Sequence, residues 1–334
     1  MSLSRTKGTL GDLDADISHY LNLSIAASTG QTYSSAEKRF LAFCSLYHPT
    51  SGTCLPATED TLIKYAAFLA RSIKYSSIKG YLAAVCHFHI RRGFELDLNK
   101  CLRLQLVCRG IKRSQGTNLT RVRLPITIKH LRLFHSLLAI SYTSNYDSVM
   151  IWGAMTLAFF GFLRLGELTC NSKFSPEAHL SPEDVIFLPS WENPDHLSVR
   201  IKISKTDPFR SGQTILMGKT HQPVCPVQAM KAYMFTRDRT PGPLFTYVSG
   251  KPLTKDALTS ETRQLLSQSG FTSSQYAGHS FRIGAATTAA SVGLPPWLIK
   301  TLGRWSSDCF ERYIRCPQSL ILEVSHKLVK DSYH

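Results

Sequence analysis

Residues 278–290 read GHSFRIGAATTAA. Gly278 breaks the chain, and His279-Ser-Phe-Arg282 then opens an Ala-rich segment of high helix propensity. Residues three apart share a helical face, so the imidazole of His279 and the guanidinium of Arg282 can address one ligand. An anion is favoured near the positive end of a helix, and the same field favours a neutral imidazole. In isolation His-x-x-Arg is an ordinary helix start, and His89-x-x-Arg92 repeats it earlier in the chain. Its meaning depends on what stands around it.

Downstream, Pro295-Pro296-Trp297 predicts a short helix that stops at Gly303, followed by Arg304-Trp305-Ser306-Ser307. Tyr313 comes eight residues after Trp305, within FERYIRCP. Taken separately, a Trp and a Tyr are core or interface residues. Upstream, the run from Val149 to Leu163 is apolar apart from Gly and Thr and ends abruptly in Arg164. Fifteen residues are too few for a comfortable membrane span, so a buried helix is expected, with no membrane partner. A guanidinium ending so apolar a segment needs an anion, because unpaired burial is costly. Glu167, one turn on, can supply it, and so can a ligand.

Between these segments, Leu197, Val199, Ile201 and Ile203 alternate with Ser198, Arg200, Lys202 and Ser204, the signature of a half-buried strand. The turn-rich TDPFRSG follows, and Gln213 to Met217 reads as a returning strand. Lys205 stands where the first strand enters the turn, in phase with its apolar face. A solvated turn lysine is the plain alternative, and Lys202, Arg210 and Lys219 are rival basic residues.

The first third predicts helices. Gln31 to Tyr47 carries Tyr33, Ala36, Phe40, Leu41, Phe43 and Cys44 at helical spacing. Thr58 is placed to cap a helix striped by Leu62, Tyr65, Ala66 and Leu69. Ser76 is placed to cap a third, with Ile78, Tyr81, Leu82, Val85 and Phe88 periodic and Gly93 closing it beyond Arg91 and Arg92. A fourth spans about 100–113. The polar SQGTNLTRVRL before Pro125 reads as a linker. The expected organisation is a flexible stretch at 1–12, a helical domain at 13–113, a linker at 114–124, and a second domain at 125–334. The second domain is mainly helical with a small antiparallel sheet.

The chain has 334 residues, enough for two cores, with 39 Lys+Arg against 23 Asp+Glu, a net charge of +16. Residues 1–115 hold 15 Lys+Arg and 8 Asp+Glu, net +7, and the remainder holds 24 and 15, net +9. The charge is therefore shared by both domains, and a polyanion is the expected partner. Nine cysteines without a C-x-x-C argue against a zinc ribbon or a secreted disulfide scaffold, and point to a reducing, intracellular setting. The Cys86-His87-x-His89 group is the nearest approach to a metal site, but it lies in a helical pattern.

In order, the chain presents Arg, Lys, His-x-x-Arg, Trp and Tyr. That order, with the wording GFLRLGEL, SKTDPFRSG, GHSFRIGAATTAA and LGRWSSDCFERYIR, resembles the tyrosine recombinase (phage integrase) family. It is most similar to recombinases of eukaryotic mobile elements of the Crypton, Ngaro and DIRS-like groups. The resemblance runs from about residue 15 to 320. It implies a tyrosine recombinase catalytic fold preceded by a helical, SAM-like core-binding domain, acting on double-stranded DNA with neither metal nor other cofactor. It implies that Tyr313 is the nucleophile, that Arg164 and Arg282 grip the scissile phosphate, and that Lys205 protonates the leaving oxygen. His279 would accept a proton or bind phosphate, Trp305 would donate its indole N–H to phosphate, and Glu167 would stand behind the arginines. It further implies a homodimer on a site and a homotetramer in synapsis, and a nuclear location in a eukaryote. Many relatives space the last His or Trp nine residues before the Tyr, and here the spacing is eight.

Lys38, Arg39, Arg91, Arg92, Lys112 and Arg113 are candidate contacts to the DNA backbone, with solvated faces as the default for each. A C-terminal helix with Ile321, Val324 and Leu328 on one face would pack on a neighbouring protomer or on its own domain. Three other readings stay open on the residues alone. These are a catalytically silent DNA-binding regulator derived from a mobile element, a type IB topoisomerase-like relaxase, and a metal-dependent transposase, for which no carboxylate cluster is apparent.

Overall fold

The computed structural model describes residues 10–47, 55–116, 123–141 and 145–315, except 206, 208 and 239. The C-terminal stripe, Tyr333 and most of the expected linker lie outside the described residues. The chain divides into two compact units, residues 1–120 and 121–334.

Among the described residues, the first unit has five helices: α1 (Leu10–Leu23), α2 (Ala27–Tyr47), α3 (Glu59–Ala70), α4 (Tyr75–Ile90) and α5 (Leu102–Ser114). The apolar stripes predicted for α2, α3 and α4 meet in one core, where Phe40, Phe43, Leu62, Tyr65, Leu69, Ile78, Val85 and Phe88 are buried. Leu41, counted in the α2 stripe, is instead exposed.

Thr58 caps α3, its hydroxyl accepting the N–H of Thr61 at 3.2 Å. Ser76 does not cap α4. The helix begins at Tyr75, so Ser76 lies within the first turn. The orphan N–H of Tyr75 is instead donated to Gln115 Oε1 at 2.7 Å, and Gln115 Nε2 donates to the carbonyls of Ala70 and Ile73. One side chain from beyond α5 thus satisfies the end of α3 and the start of α4. Gly93 closes α4 with φ of 80°, as a left-handed terminator requires.

His89 belongs to this core rather than to a site. It is fully buried, its Nε2 accepts the N–H of Ala57 at 2.8 Å, and its Nδ1 donates to the carbonyl of Val85 at 2.7 Å. Cys86 donates to the carbonyl of Leu96, and His87 packs on the ring of Tyr33. Each member of the Cys86-His87-x-His89 group therefore has a structural occupation.

In the second unit, α6 (Ile128–Ser141) precedes α7 (Asn145–Phe160), which is buried from Met150 to Phe159 and forms the axis of the core. Then come α8 (Leu165–Leu168), β1 (Val185–Leu188), β2 (His196–Ile201) and β3 (Gln213–Gly218). The helices α9 (Pro226–Thr236), α10 (Lys255–Gln268), α11 (Ser280–Ser291) and α12 (Pro296–Leu302) follow, with a 3₁₀ turn at Asp308–Tyr313. The strands form an antiparallel sheet in the order β1-β2-β3, with Val199 opposite both Val185 and Ile215. The predicted hairpin is therefore two thirds of the sheet. β1 went unread because its four residues, Val-Ile-Phe-Leu, are too few for alternation to register.

The apolar run does not continue helically to Arg164. The helix stops at Phe160 and the chain turns at Phe162, which takes a left-handed φ of 50°. A side chain at Gly161 would press on the carbonyl of Leu157 at 2.8 Å and on Ile215 at 2.9 Å. The turn needs glycine to bring the helix end against β3.

Gly284 serves a similar purpose in α11. The N–H of Ile126 donates to the carbonyl of Ser280 at 2.9 Å, and the main chain of Ile126 occupies the space a Cβ at Gly284 would need. Backbone cannot yield as a flexible side chain can, so Gly284→Ala is expected to destabilise the second unit by about 3 kcal/mol or more. Denaturant unfolding read by circular dichroism measures this, and a change under about 0.5 kcal/mol, typical of a neutral surface substitution, would contradict the packing.

Candidate active site

A single carboxylate organises the centre. Arg164 takes the N-cap position of α8, and its own N–H donates to Glu167 Oε2 at 3.0 Å while its Nη1 donates to Oε1 at 2.7 Å. Arg304 donates from Nη2 to the same Oε2 at 2.8 Å and from Nη1 to the carbonyl of Gly161 at 3.0 Å. The side chains of Glu167 and Arg304 are each 4% exposed, whereas that of Arg164 keeps 19%. Of the two arginines on this carboxylate, Arg164 is the one open to a ligand.

Arg282 is fully buried at the first turn of α11. Its Nη1 donates to the carbonyl of Phe162 at 2.7 Å, its Nη2 donates to the carbonyl of Gly303, and its Nε has no partner. The guanidinium lies over the ring of Trp305, 4.3 Å from the centroid. Burial, and then the positive charge of Arg164, lower its pKa to about 10, which leaves it charged at neutral pH. Arg304 is lowered too, chiefly by burial, with Glu167 opposing.

Trp305 sits in an aromatic nest of Phe162, Phe310 and Tyr313, with the Tyr313 centroid 5.3 Å away. Its indole N–H is buried without an acceptor. Tyr313 ends the 3₁₀ turn, half-buried. Thr287 of α11 fixes it there: the Thr287 hydroxyl donates to the Tyr313 carbonyl at 3.2 Å and accepts the N–H of Arg315 at 3.1 Å.

His279 occupies the N-cap position of α11, makes no capping bond, and is open to solvent at the rim. Desolvation by the surrounding protein lowers its pKa from 6.5, and the charges of Arg164, Arg282, Lys255 and Lys205 push it further the same way. A neutral imidazole ringed by four cations is a site prepared for an anion.

Lys205 reaches this ring from an exposed turn. β2 ends at Ile201, so the strand phase expected to aim Lys205 does not extend to it. The turn itself shapes the approach, with Asp207 accepting the N–H groups of Ser211 at 3.1 Å and Gly212 at 2.8 Å. Of the rival basic residues, Lys202 is bound to Asp184 at 2.6 Å, and Lys219 lies at the opposite end of the hairpin. Arg210 is exposed in the same turn as Lys205.

Two participants were not singled out from the sequence. Lys255 opens α10, and a Cβ on Gly278 would lie 3.6 Å from its Cε, which places the lysine stem beside His279. Nothing in the wording around Lys255 signals this. Arg304 could have been found, because it stands nine residues before Tyr313, the spacing many relatives use. Its left-handed φ of 54° turns it inward onto Glu167 and leaves Trp305, eight residues before Tyr313, to stack on Arg282.

The basic residues singled out in the first unit are less uniform. Lys38, Arg91, Arg92, Lys112 and Arg113 are exposed, while Arg39 is half-buried. Arg39 donates to Ser72 at 2.7 Å and lies over the Tyr81 ring, and Arg91 donates to Asn22 at 2.9 Å. Arg92 pairs with Glu37 at 3.1 Å and lies over Phe88. Lys112, with Lys79 and Arg109, lines a cavity of about 540 Å³ between α4 and α5.

No protein-family model matches the sequence. The chain is 27% identical over 305 residues to an integrase/recombinase XerD homolog of Selenomonas ruminantium, covering 88% of this chain and 83% of that protein. The Tn1549 transposon integrase in complex with transposon right-end DNA is similar in structure, with a TM-score of 0.59 at 14% identity over 95% of this chain and 98% of that one. The lambda integrase dimer bound to a COC′ core site gives 0.56 at 15% identity over 92% and 96%. XerH site-specific recombinase in its post-cleavage complex gives 0.58 at 12% identity over 87% and 76%. At such identities the likeness to the solved structures is one of fold. In sequence over most of its length the chain is similar to an integrase/recombinase, and over nearly all of it the fold is that of the solved transposon and lambda integrases.

Proposed function

We propose that the protein is a site-specific DNA recombinase that cuts and rejoins duplex DNA through a 3′-phosphotyrosyl intermediate, with no metal or nucleotide. The observation that carries this reading is the placement of a tyrosine against a buried Arg–Trp stack, 5.3 Å from the indole, beside a neutral histidine and a second arginine.

The chemistry follows from the groups. The Tyr313 oxygen attacks the scissile phosphorus and passes its proton to the neutral His279. The bond from phosphorus to the 5′-oxygen breaks, and Lys205 gives that oxygen its proton. Arg164 offers its open edge to the charged non-bridging oxygens, while Arg282, buried with both terminal nitrogens on backbone carbonyls, adds its positive charge from behind; both charges are in place before the transition state forms. The phosphotyrosyl ester keeps the energy of the broken bond, so the 5′-hydroxyl of another strand can displace Tyr313 and rejoin the DNA. Paired exchanges of this kind need two protomers on a site and four in a synapse. The exposed basic residues of the first unit, Lys38, Arg91, Arg92, Lys112 and Arg113, would hold the backbone by charge.

Incubation with a nicked suicide substrate in EDTA, followed by a denaturing gel, tests the nucleophile. A covalent protein–DNA adduct is expected, and its loss in Tyr313→Phe. An adduct that survives this change sinks the assignment.

Lys205 is tested with a substrate in which sulfur replaces the bridging 5′-oxygen, since a thiolate leaves without protonation. Lys205→Ala is expected to slow cleavage of the ordinary substrate by about 100-fold or more, the range for a lost general acid. On the sulfur substrate the loss should nearly vanish, and an equal loss on both removes Lys205 from the acid role.

The His279 C2 proton, followed by NMR, should titrate below 6.5 in the free protein. Lys255→Met, by removing a like charge, should move that titration upward, and DNA should do the same by supplying phosphate. Because the neutral ring is the proton acceptor, adduct formation should fall as acid charges it. A rate that rises as His279 is protonated contradicts the base role.

A further inference from the structure

We propose that Arg304 is a positioning residue for the scissile-phosphate chemistry, acting through Glu167 on Arg164 and through the adjoining turns on Arg282. The inference rests on the recombinase reading above and deepens it.

Arg304 is turned inward, away from the open edge that Arg164 presents. Its side chain is 4% exposed, its terminal nitrogens are committed to Glu167 and to the carbonyl of Gly161, and its Nε, like that of Arg282, has no partner. Its effect is on charge and on geometry.

Glu167 carries one negative charge and accepts from two guanidinium groups, at 2.7 and 2.8 Å. Shared in this way, the carboxylate neutralises neither. Without Arg304 it becomes a full counterion to Arg164, and a phosphate must compete with it for the guanidinium. With Arg304 in place the cluster stays net positive, and the surplus is expressed at Arg164, the member with 19% exposure.

Arg282 is held in place by two turns. Its two carbonyl acceptors belong to Phe162 and Gly303. Arg304 follows Gly303 directly and holds Gly161, the neighbour of Phe162, at 3.0 Å. Phe162 and Arg304 both have left-handed backbones, with φ of 50° and 54°. The bond from Arg304 to Gly161 therefore ties together the two turns that cradle Arg282. The same left-handed residue sets Trp305 beneath the Arg282 guanidinium, 4.3 Å from the ring centroid.

The test uses the full chain with Arg304→Met and Arg304→Lys, measuring single-turnover adduct formation and DNA affinity. Two substrates are compared, one with the ordinary scissile phosphate and one with a methylphosphonate, in which a methyl group replaces a non-bridging oxygen and removes its charge. A neutral centre has less need of Arg164, so a defect transmitted through that arginine shrinks on it, while a merely destabilised protein gains nothing.

For Arg304→Met the expected result is a loss of about 100-fold on the phosphodiester, the scale of a misplaced catalytic group, with affinity within about twofold. The loss should shrink by about tenfold or more on the methylphosphonate, as it should for Arg164→Ala. Arg304→Lys keeps the buried charge but cannot reach both partners, and about a tenfold loss with the same substrate dependence is expected. If Arg304→Met does not fold, the lysine variant decides by the same ratio. An equal loss on both substrates, a loss that follows DNA affinity, or an unchanged rate each overturns the inference. Wild-type protein that forms no adduct sinks the recombinase reading and this inference with it, whereas a wild-type adduct with indifferent Arg304 variants sinks the inference alone.

Discussion

Three guanidinium groups share the neighbourhood of one carboxylate in the interior of the second unit, and the local architecture is arranged around making that tolerable. Desolvating a charge costs several kcal/mol unless hydrogen bonds replace the lost water. Arg282 meets this condition through two backbone carbonyls and an aromatic face, and Arg304 through Glu167 and a third carbonyl. Carbonyls can face inward in this way only where the chain leaves regular structure. That is why α7 stops at Phe160, one residue before the first of these acceptors, and why α12 stops just before the last.

The left-handed conformations at Phe162 and Arg304 belong to the same arrangement. A non-glycine residue with such a backbone costs on the order of 1 kcal/mol, and each adjoins a carbonyl that receives an arginine or supplies one itself. Even so, the cluster is not neutral. Against the single charge of Glu167 stand Arg164, Arg282 and Arg304, with Lys205 and Lys255 close enough to depress His279. The unbalanced charge converges on the rim where Arg164 and His279 meet solvent. A phosphate diester placed there reduces the repulsion among these groups. Repulsion among these cations is what an anion at that rim would relieve.

Much of this was legible in the sequence because it is local. The Ala-rich helix behind His279, the stop of the apolar run before Arg164 and the aromatic spacing up to Tyr313 are relations among residues close in the chain. The stripes of Phe40, Leu62, Ile78 and their neighbours likewise locate the first core. What escaped is non-local. Gln115 satisfies a helix start forty residues away, and so displaces Ser76 as the expected cap. Lys255 comes to His279 only through the packing of α10 against the segment before α11. Arg304 meets Glu167 across 137 residues of chain. Periodicity cannot report such pairings, because each is decided by which faces of two distant segments are buried together.

The eight-residue spacing between Trp305 and Tyr313 shows how a local irregularity and a distant partner can be one fact. Read along the chain, it is a deletion relative to the nine residues of many relatives. In the structure, Arg304 occupies the ninth position and is turned away from Tyr313 by its left-handed backbone, toward a carboxylate that needs a second cation. The tryptophan then takes the place against Arg282 by default of the next residue. A ring there can hold a guanidinium by its face without demanding a hydrogen bond from it. That leaves the Nε of Arg282 and the indole N–H of Trp305 both without protein acceptors. With the Nε of Arg304 likewise unpaired, these buried donors are expensive in a free protein, and their cost falls if an oxyanion reaches them. The spacing is therefore not a loosening of the site. It substitutes an inward arginine and a stacked indole for a single side chain, and leaves the donor deficit beside Tyr313.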